Sequence, residues 1–91
     1  MAVLVIEYRV DDYAWWKGVF DQDPLGRKSH GGTGHWIHQD PDDPNHFLLG
    51  MHFGIAEEAR AFRDLPEFQQ VWEASGAGQA WVLDETESVT Y

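Results

Sequence analysis

The chain has 91 residues, 43% of them hydrophobic and 14% aromatic, which is too much apolar surface for a disordered segment and suits one small folded domain over residues 1–91. Sixteen acidic residues against six basic ones give a formal net charge of −10, a field that repels phosphate backbones, so nucleic acid and anionic membranes are disfavoured as partners. Cysteine is absent, which excludes disulfides, thiolate metal sites and a cysteine nucleophile.

The opening MAVLVIEYRV has no basic start and no small-residue cleavage site, so it reads as a strand over residues 2–10 and not as a signal peptide. Leu4, Ile6, Tyr8 and Val10 make one face of that strand; Val3, Val5, Glu7 and Arg9 make the other. No apolar run reaches the length of a membrane span, and the expected location is the cytoplasm. Asp11 or Asp12 caps a helix over residues 12–21, in which Tyr13, Trp16 and Phe20 form the buried stripe. Asp23-Pro24 repeats the start signal for a short extra turn carrying Arg27, Lys28 and His30, and Gly31-Gly32 ends it.

Residues 33–39 and 46–53 alternate as strands, and DPDDPN between them is turn chemistry, so the pair is expected to form a β-hairpin with a long acidic tip. From Ile55 the period becomes helical, with Ala59, Phe62 and Leu65 on one side. Pro66 forces a break near Leu65 and restarts a helix whose Phe68, Val71 and Trp72 point inward, until Gly76 and Gly78 stop it. Residues 79–91 return to strand residues: Trp81, Val82, Leu83, then Val89 and Tyr91.

The resulting βαββαβ order is an α+β, ferredoxin-like pattern, with a four-stranded antiparallel sheet and both helices on one face. The other face would leave Val3, Val5, Ile37 and Leu48 in water, and a second copy of the chain is the economical cover. A homodimer is therefore expected, with two such sheets closing a dimeric α/β barrel.

VDDYAWWKGVF in the first helix, DPDDPNHFLLGMHFG across the hairpin and EEARAFRDLPEFQQVWEASG in the second helical region resemble the dimeric α/β-barrel superfamily over nearly the whole chain. That superfamily holds antibiotic-biosynthesis monooxygenases, polyketide cyclases and haem-degrading monooxygenases. The resemblance implies a pocket between sheet and helices. It also argues against haem degradation. Members with that activity use an Asn on strand one with a Trp and a His on helix two, whereas this chain has no Asn in its first strand and has Phe62 and Trp72 at the helix positions. Plant-type cyclases of this fold use a His and Tyr pair, for which Tyr8 and the strand histidines are available.

GHWIHQD, residues 34–40, sets His35 and His38 three apart, and on a regular strand such residues point to opposite faces, so the two cannot chelate one ion. One of them can still meet groups from neighbouring strands. Glu7, His35 and His52 are the candidate catalytic cluster, a carboxylate orienting imidazoles that move protons near neutral pH; the alternatives for the trio are a metal site or satisfied polar groups at the dimer interface. Tyr8, Trp36, His38 and Trp72 are the candidate ligand-binding residues, lining an aromatic cavity with Phe20 under the helices. SHGGTGHW lacks a phosphate-loop ending, and Asp40, Asp42, Asp43 and Asn45 lack the Gly and Glu of a calcium loop.

No nucleotide fingerprint or nucleophilic serine motif is present, so no cofactor is expected. The sequence reads best as a homodimer that acts on a small hydrophobic, aromatic or polyketide-like molecule, as a cofactor-independent monooxygenase or cyclase working by His/Glu proton transfer. The alternatives are a non-catalytic ligand-binding or accessory module, and a purely structural dimer.

Overall fold

AVLVIEYR is apolar along one face and begins with Val3 and Val5 on the other before Glu7 and Arg9, which suits an inner strand, and β1 (Ala2–Arg9) lies inside the sheet. The computed structural model describes the backbone of all 91 residues and the side chains of all but residues 72–74. Chain order continues through α1 (Tyr13–Asp21), a single 3₁₀ turn (Lys28–His30), β2 (Gly32–Asp40), β3 (Asp43–Phe53), α2 (Ala56–Arg63), α3 (Pro66–Ser75) and β4 (Ala77–Asp84). The four strands pair antiparallel in the order β2-β3-β1-β4, the ferredoxin-like arrangement expected from the element order.

The helices begin and end where local chemistry allows. The Asp12 carboxylate accepts from the Trp15 N–H at 3.3 Å and so caps α1. Pro66 starts α3 at its first turn, where a missing N–H costs nothing, and the break after α2 falls at Leu65 as the proline dictates. Gly76 ends α3 with φ 82°, and a Cβ there would collide with the Arg9 carbonyl, whose own N–H donates to the Gly76 carbonyl at 3.0 Å.

All helices lie on one face of the sheet. Leu4, Ile6, Phe47, Leu49 and Phe53 point into that side and are at most 2% exposed, packed with Trp16, Phe20, Ala59, Phe62 and Phe68. The opposite face carries no element of this chain. There Leu48, Trp81 and Leu83 are 38%, 41% and 50% exposed.

Three expectations need correcting. Ile37 does not belong to the bare face: it pairs with Leu49 and packs on the helix-side core, so the apolar residue that β2 gives the bare face is Trp36. The hairpin tip is short, because Asp40 and Asp43 already pair as strand residues and only Pro41 and Asp42 turn. Lastly, β4 begins at Ala77, with Gly78 inside it, and residues 85–91 form no regular structure.

Candidate functional site

Pairing register decides which side chains can meet, since directly opposed residues in antiparallel strands share a face. His52 opposes Val3 and Gly34; Leu48 opposes Glu7 and His38; Gly50 opposes Val5 and Trp36. These all belong to the bare face. Met51 opposes Leu4 and His35, and Phe47 opposes Tyr8, on the face under the helices.

The expected cluster of Glu7, His35 and His52 therefore does not assemble. Glu7 and His52 stand on the bare face, and His35 is on the other side of the sheet. Nor does the expected ligand-binding set share one cavity: Tyr8 is under the helices, whereas Trp36 and His38 contact each other on the bare face with ring centroids 4.7 Å apart. The fourth member, Trp72, lies outside the residues whose side chains are described. A slip of one residue in the inferred register of β2 is enough to exchange the faces of all its side chains.

A cavity of about 240 Å³ opens between the sheet and the helices. Its walls are almost wholly apolar and include Trp16, Phe20, Leu49, Met51, Phe62 and Phe68. Polar atoms enter at two places. Tyr8 and Ser75 bring hydroxyls from β1 and the end of α3, and Asp23 and Arg27 come from the loop after α1. Burial pushes the Tyr8 phenol up to about 12, only partly offset by hydrogen bonds with Ser75 and Trp16, so at neutral pH it is a neutral donor and not a base.

The loop is built to hold Arg27. Asp23 takes a left-handed backbone, φ 52°, uncommon outside glycine and easiest for Asp and Asn. Its carboxylate accepts from the Arg27 N–H at 2.9 Å and lies 3.5 Å from Nη1 of the same residue. Arg27 Nη1 also donates to the Phe20 carbonyl at 2.9 Å, and the guanidinium sits 3.8 Å above the Phe20 ring, a cation–π contact. His35 meets the same Phe20 edge-on, with centroids 5.0 Å apart. Desolvation, then the charges of Arg27 and Lys17, hold the His35 imidazole below its ordinary value against the opposing pull of Asp21, so it is a neutral base at pH 7.

The bare face carries a second polar group. His46 Nε2 donates to Glu7 Oε2 at 2.8 Å, and His46 Nδ1 lies 3.5 Å from Asp40 Oδ2. The two carboxylates address opposite ring nitrogens, so the three do not converge on one point as metal ligands would. At the other end of β3, His52 Nδ1 is buried with no hydrogen-bond partner among the described residues. His46, and not His35 or His52, is the partner of Glu7. The signal was available: His46 has the strand parity of His52, and a register pairing Arg9 with His46 puts Glu7 one diagonal step away. Asp23, Arg27 and Ser75 had no such signal, because a loop and a helix end bring them to the cavity.

Fold and cavity together define a class: ferredoxin-like α+β proteins with a ligand-sized hollow between an antiparallel sheet and its helices. Within that class the chain resembles SnoaB, a cofactor-independent oxygenase from Streptomyces nogalater, with a TM-score of 0.77 at 14% identity, covering 99% of this chain and 97% of that one. A Deinococcus radiodurans protein assigned as an antibiotic biosynthesis monooxygenase gives 0.71 at 13%, covering 100% and 98%. One from Nitrosomonas europaea with the same assignment gives 0.69 at 17%, covering 96% and 100%. At such identities the likeness is one of fold. No family model and no curated protein matches the sequence.

Proposed function

We propose that the chain acts as a homodimer that takes a small aromatic or polyketide-like molecule into the cavity between sheet and helices and oxygenates or cyclises it without a cofactor. The observation that carries this reading is the cavity itself: about 240 Å³, apolar, with hydrogen-bonding groups at two separate places on its wall. An apolar cavity of roughly 150 Å³ accepts benzene, so this one suits a ligand of about two fused rings. The fold likeness to a cofactor-independent oxygenase supports the reaction class.

The division of labour follows from the chemistry of the side chains. His35, neutral and beside the cavity mouth, removes a proton from a phenol or an activated carbon. Arg27 stabilises the resulting anion, and the Tyr8 phenol donates to a substrate oxygen at the other end. The electron-rich anion then reduces dioxygen; for a dihydroxynaphthalene, one O₂ gives one hydroxynaphthoquinone and one water. A substrate with a second carbonyl in reach would close a ring through the same anion. The exposed Leu48, Trp81 and Leu83 support a second copy over the bare face.

A dihydroxynaphthalene incubated with the protein in an oxygen electrode tests the reading. The expected result is O₂ uptake matched one to one by quinone and abolished by His35→Gln. Uptake no faster than in buffer, with no binding of the probe, would remove it. A second reading has its own support: among the described residues no histidine lines the cavity, and the one carboxylate there, Asp23, is engaged with Arg27. A non-catalytic binding module would bind the probe tightly and consume no oxygen.

A further inference from the structure

A second hollow, of about 390 Å³, adjoins the apolar cavity and shares Asp23, Arg27 and Met51 with it. Its remaining walls differ in kind. Lys28, Thr33 and His35 bring polar groups to it, along with Gly32 and Gly34, and among the described residues Phe53 is the one phenyl ring in its walls. Arg27 thus stands between a greasy chamber and a polar one.

Charge is concentrated here against the trend of the molecule. The chain has only six Lys and Arg residues and a net charge of −10, yet Arg27 and Lys28 both line this cleft, and Lys17 is close enough to act on His35. Lys17 is paired with Asp21 at 2.6 Å, and Arg27 is partly compensated by Asp23 at 3.5 Å. Lys28 has no ion-pair partner among the described residues. Of the five N–H donors on the Arg27 guanidinium, one of the two on Nη1 is committed to the Phe20 carbonyl, which leaves donors for a ligand.

We propose that this cleft is a subsite for an anionic group, so that the ligand is an aromatic acid whose rings fill the apolar cavity and whose carboxylate reaches Arg27, Lys28 and Thr33. The inference rests on the cavity being a ligand site, as argued above, and adds the chemical class of its occupant. A carboxylate beside Arg27 would accept charge-assisted hydrogen bonds from the planar fork, and the exposed Lys28 ammonium would add a salt-sensitive point charge. A neutral ligand of the same shape would give Lys28 no counter-charge and would gain no charge-assisted bond from Arg27. The net charge of −10 makes a cleft lined by two cations the exception on this molecule and so a place where an anion would concentrate.

The test compares naphthylacetate with its neutral isostere naphthylacetamide by calorimetric titration into the full chain. The acid should bind about tenfold more tightly at low salt, and raising the ionic strength should shrink that ratio. Lys28→Glu, at an exposed position whose change leaves the thermal melt in place, should bring the ratio to about one or below. Equal affinity of wild type for acid and amide would overturn the anionic subsite while leaving the apolar cavity as a ligand site. Failure of both probes to bind would overturn both. A preference for the acid that persists in Lys28→Glu and at high salt would also overturn the assignment.

Discussion

Glu7 and His46 meet on the bare face of the sheet, carboxylate oxygen to imidazole Nε2 at 2.8 Å, although neither opposes the other directly in the β1–β3 ladder. Their side chains are 32% and 26% exposed, so in a single subunit the pair faces water on one side. Exposed pairs of this kind contribute about 0–1 kcal/mol. A second copy lying on this face would dry the pair, and a carboxylate then left without its imidazole would cost several kcal/mol. His46→Ala is thus expected to raise the dimer dissociation constant by at least about tenfold in analytical ultracentrifugation while moving subunit stability by less than about 1 kcal/mol. An unchanged dissociation constant would place the pair outside the interface.

Trp36 lies flat over Gly50 on the same face: a Cβ at Gly50 would fall inside the indole ring. Glycine is required there by close approach and not by backbone conformation. Gly50→Ala should expel the indole or strain β2 against β3, at a cost of about 1–3 kcal/mol in urea unfolding. The Trp36 indole N–H resonance should move at the same time. If neither the midpoint nor the resonance changed, the stacking would be absent in solution.

These two contacts mark how far the sequence could be read. Alternation over residues 46–53, the Asp12 cap and Pro66 each express a local rule, and the order of elements followed from them. The faces of β2 did not follow, for a physical reason. It is an edge strand with exposed residues on both sides, and its pairing shifts between Gly32 and Gly34 and again between Gln39 and Asp40. No hydrophobic parity distinguishes Trp36 from Ile37 there, and a single shift sent His35 to the helix side, away from Glu7 and His52. Loop residues were legible as turn chemistry only. Nothing in Asp-Pro discloses that Asp23 would take a left-handed backbone and orient Arg27 over Phe20.

His35 offers a direct check on the electrostatics of the cavity mouth. Desolvation first, then Arg27 and Lys17, favour its neutral form. The folded state consequently binds this proton less readily than the unfolded chain does, so the contribution of His35 to stability is present above the ordinary imidazole value and is lost as pH falls through the lowered folded value. In a carbon-detected histidine titration its midpoint should lie below that of a model peptide. Arg27→Gln should raise it. A midpoint at or above the model value in the wild-type protein would contradict the placement of both cations.

Tyr8 makes the opposite case at the other end of the pH scale. Its ring is 5% exposed, stacked on Phe47 with centroids 5.1 Å apart and tilted on Trp16 at 5.0 Å, and burial pushes the phenol from 10.0 up to about 12. The native state holds the proton more tightly than the unfolded chain. Stability attached to this group is therefore full below pH 10 and drains away as the pH climbs towards 12, by about 2–3 kcal/mol in all. Tyr8→Phe should flatten that alkaline loss in guanidinium midpoints measured from pH 9 to 12 and should weaken binding of hydroxylated bicyclic ligands about threefold to tenfold by removing a donor inside the cavity. The two effects separate the roles of the residue: packing survives in phenylalanine, because the ring still stacks on Phe47, whereas the hydrogen bond to a substrate oxygen does not. Loss of the fold in Tyr8→Phe, or an alkaline limb identical to wild type, would mean that the phenol is not held neutral by burial in the core.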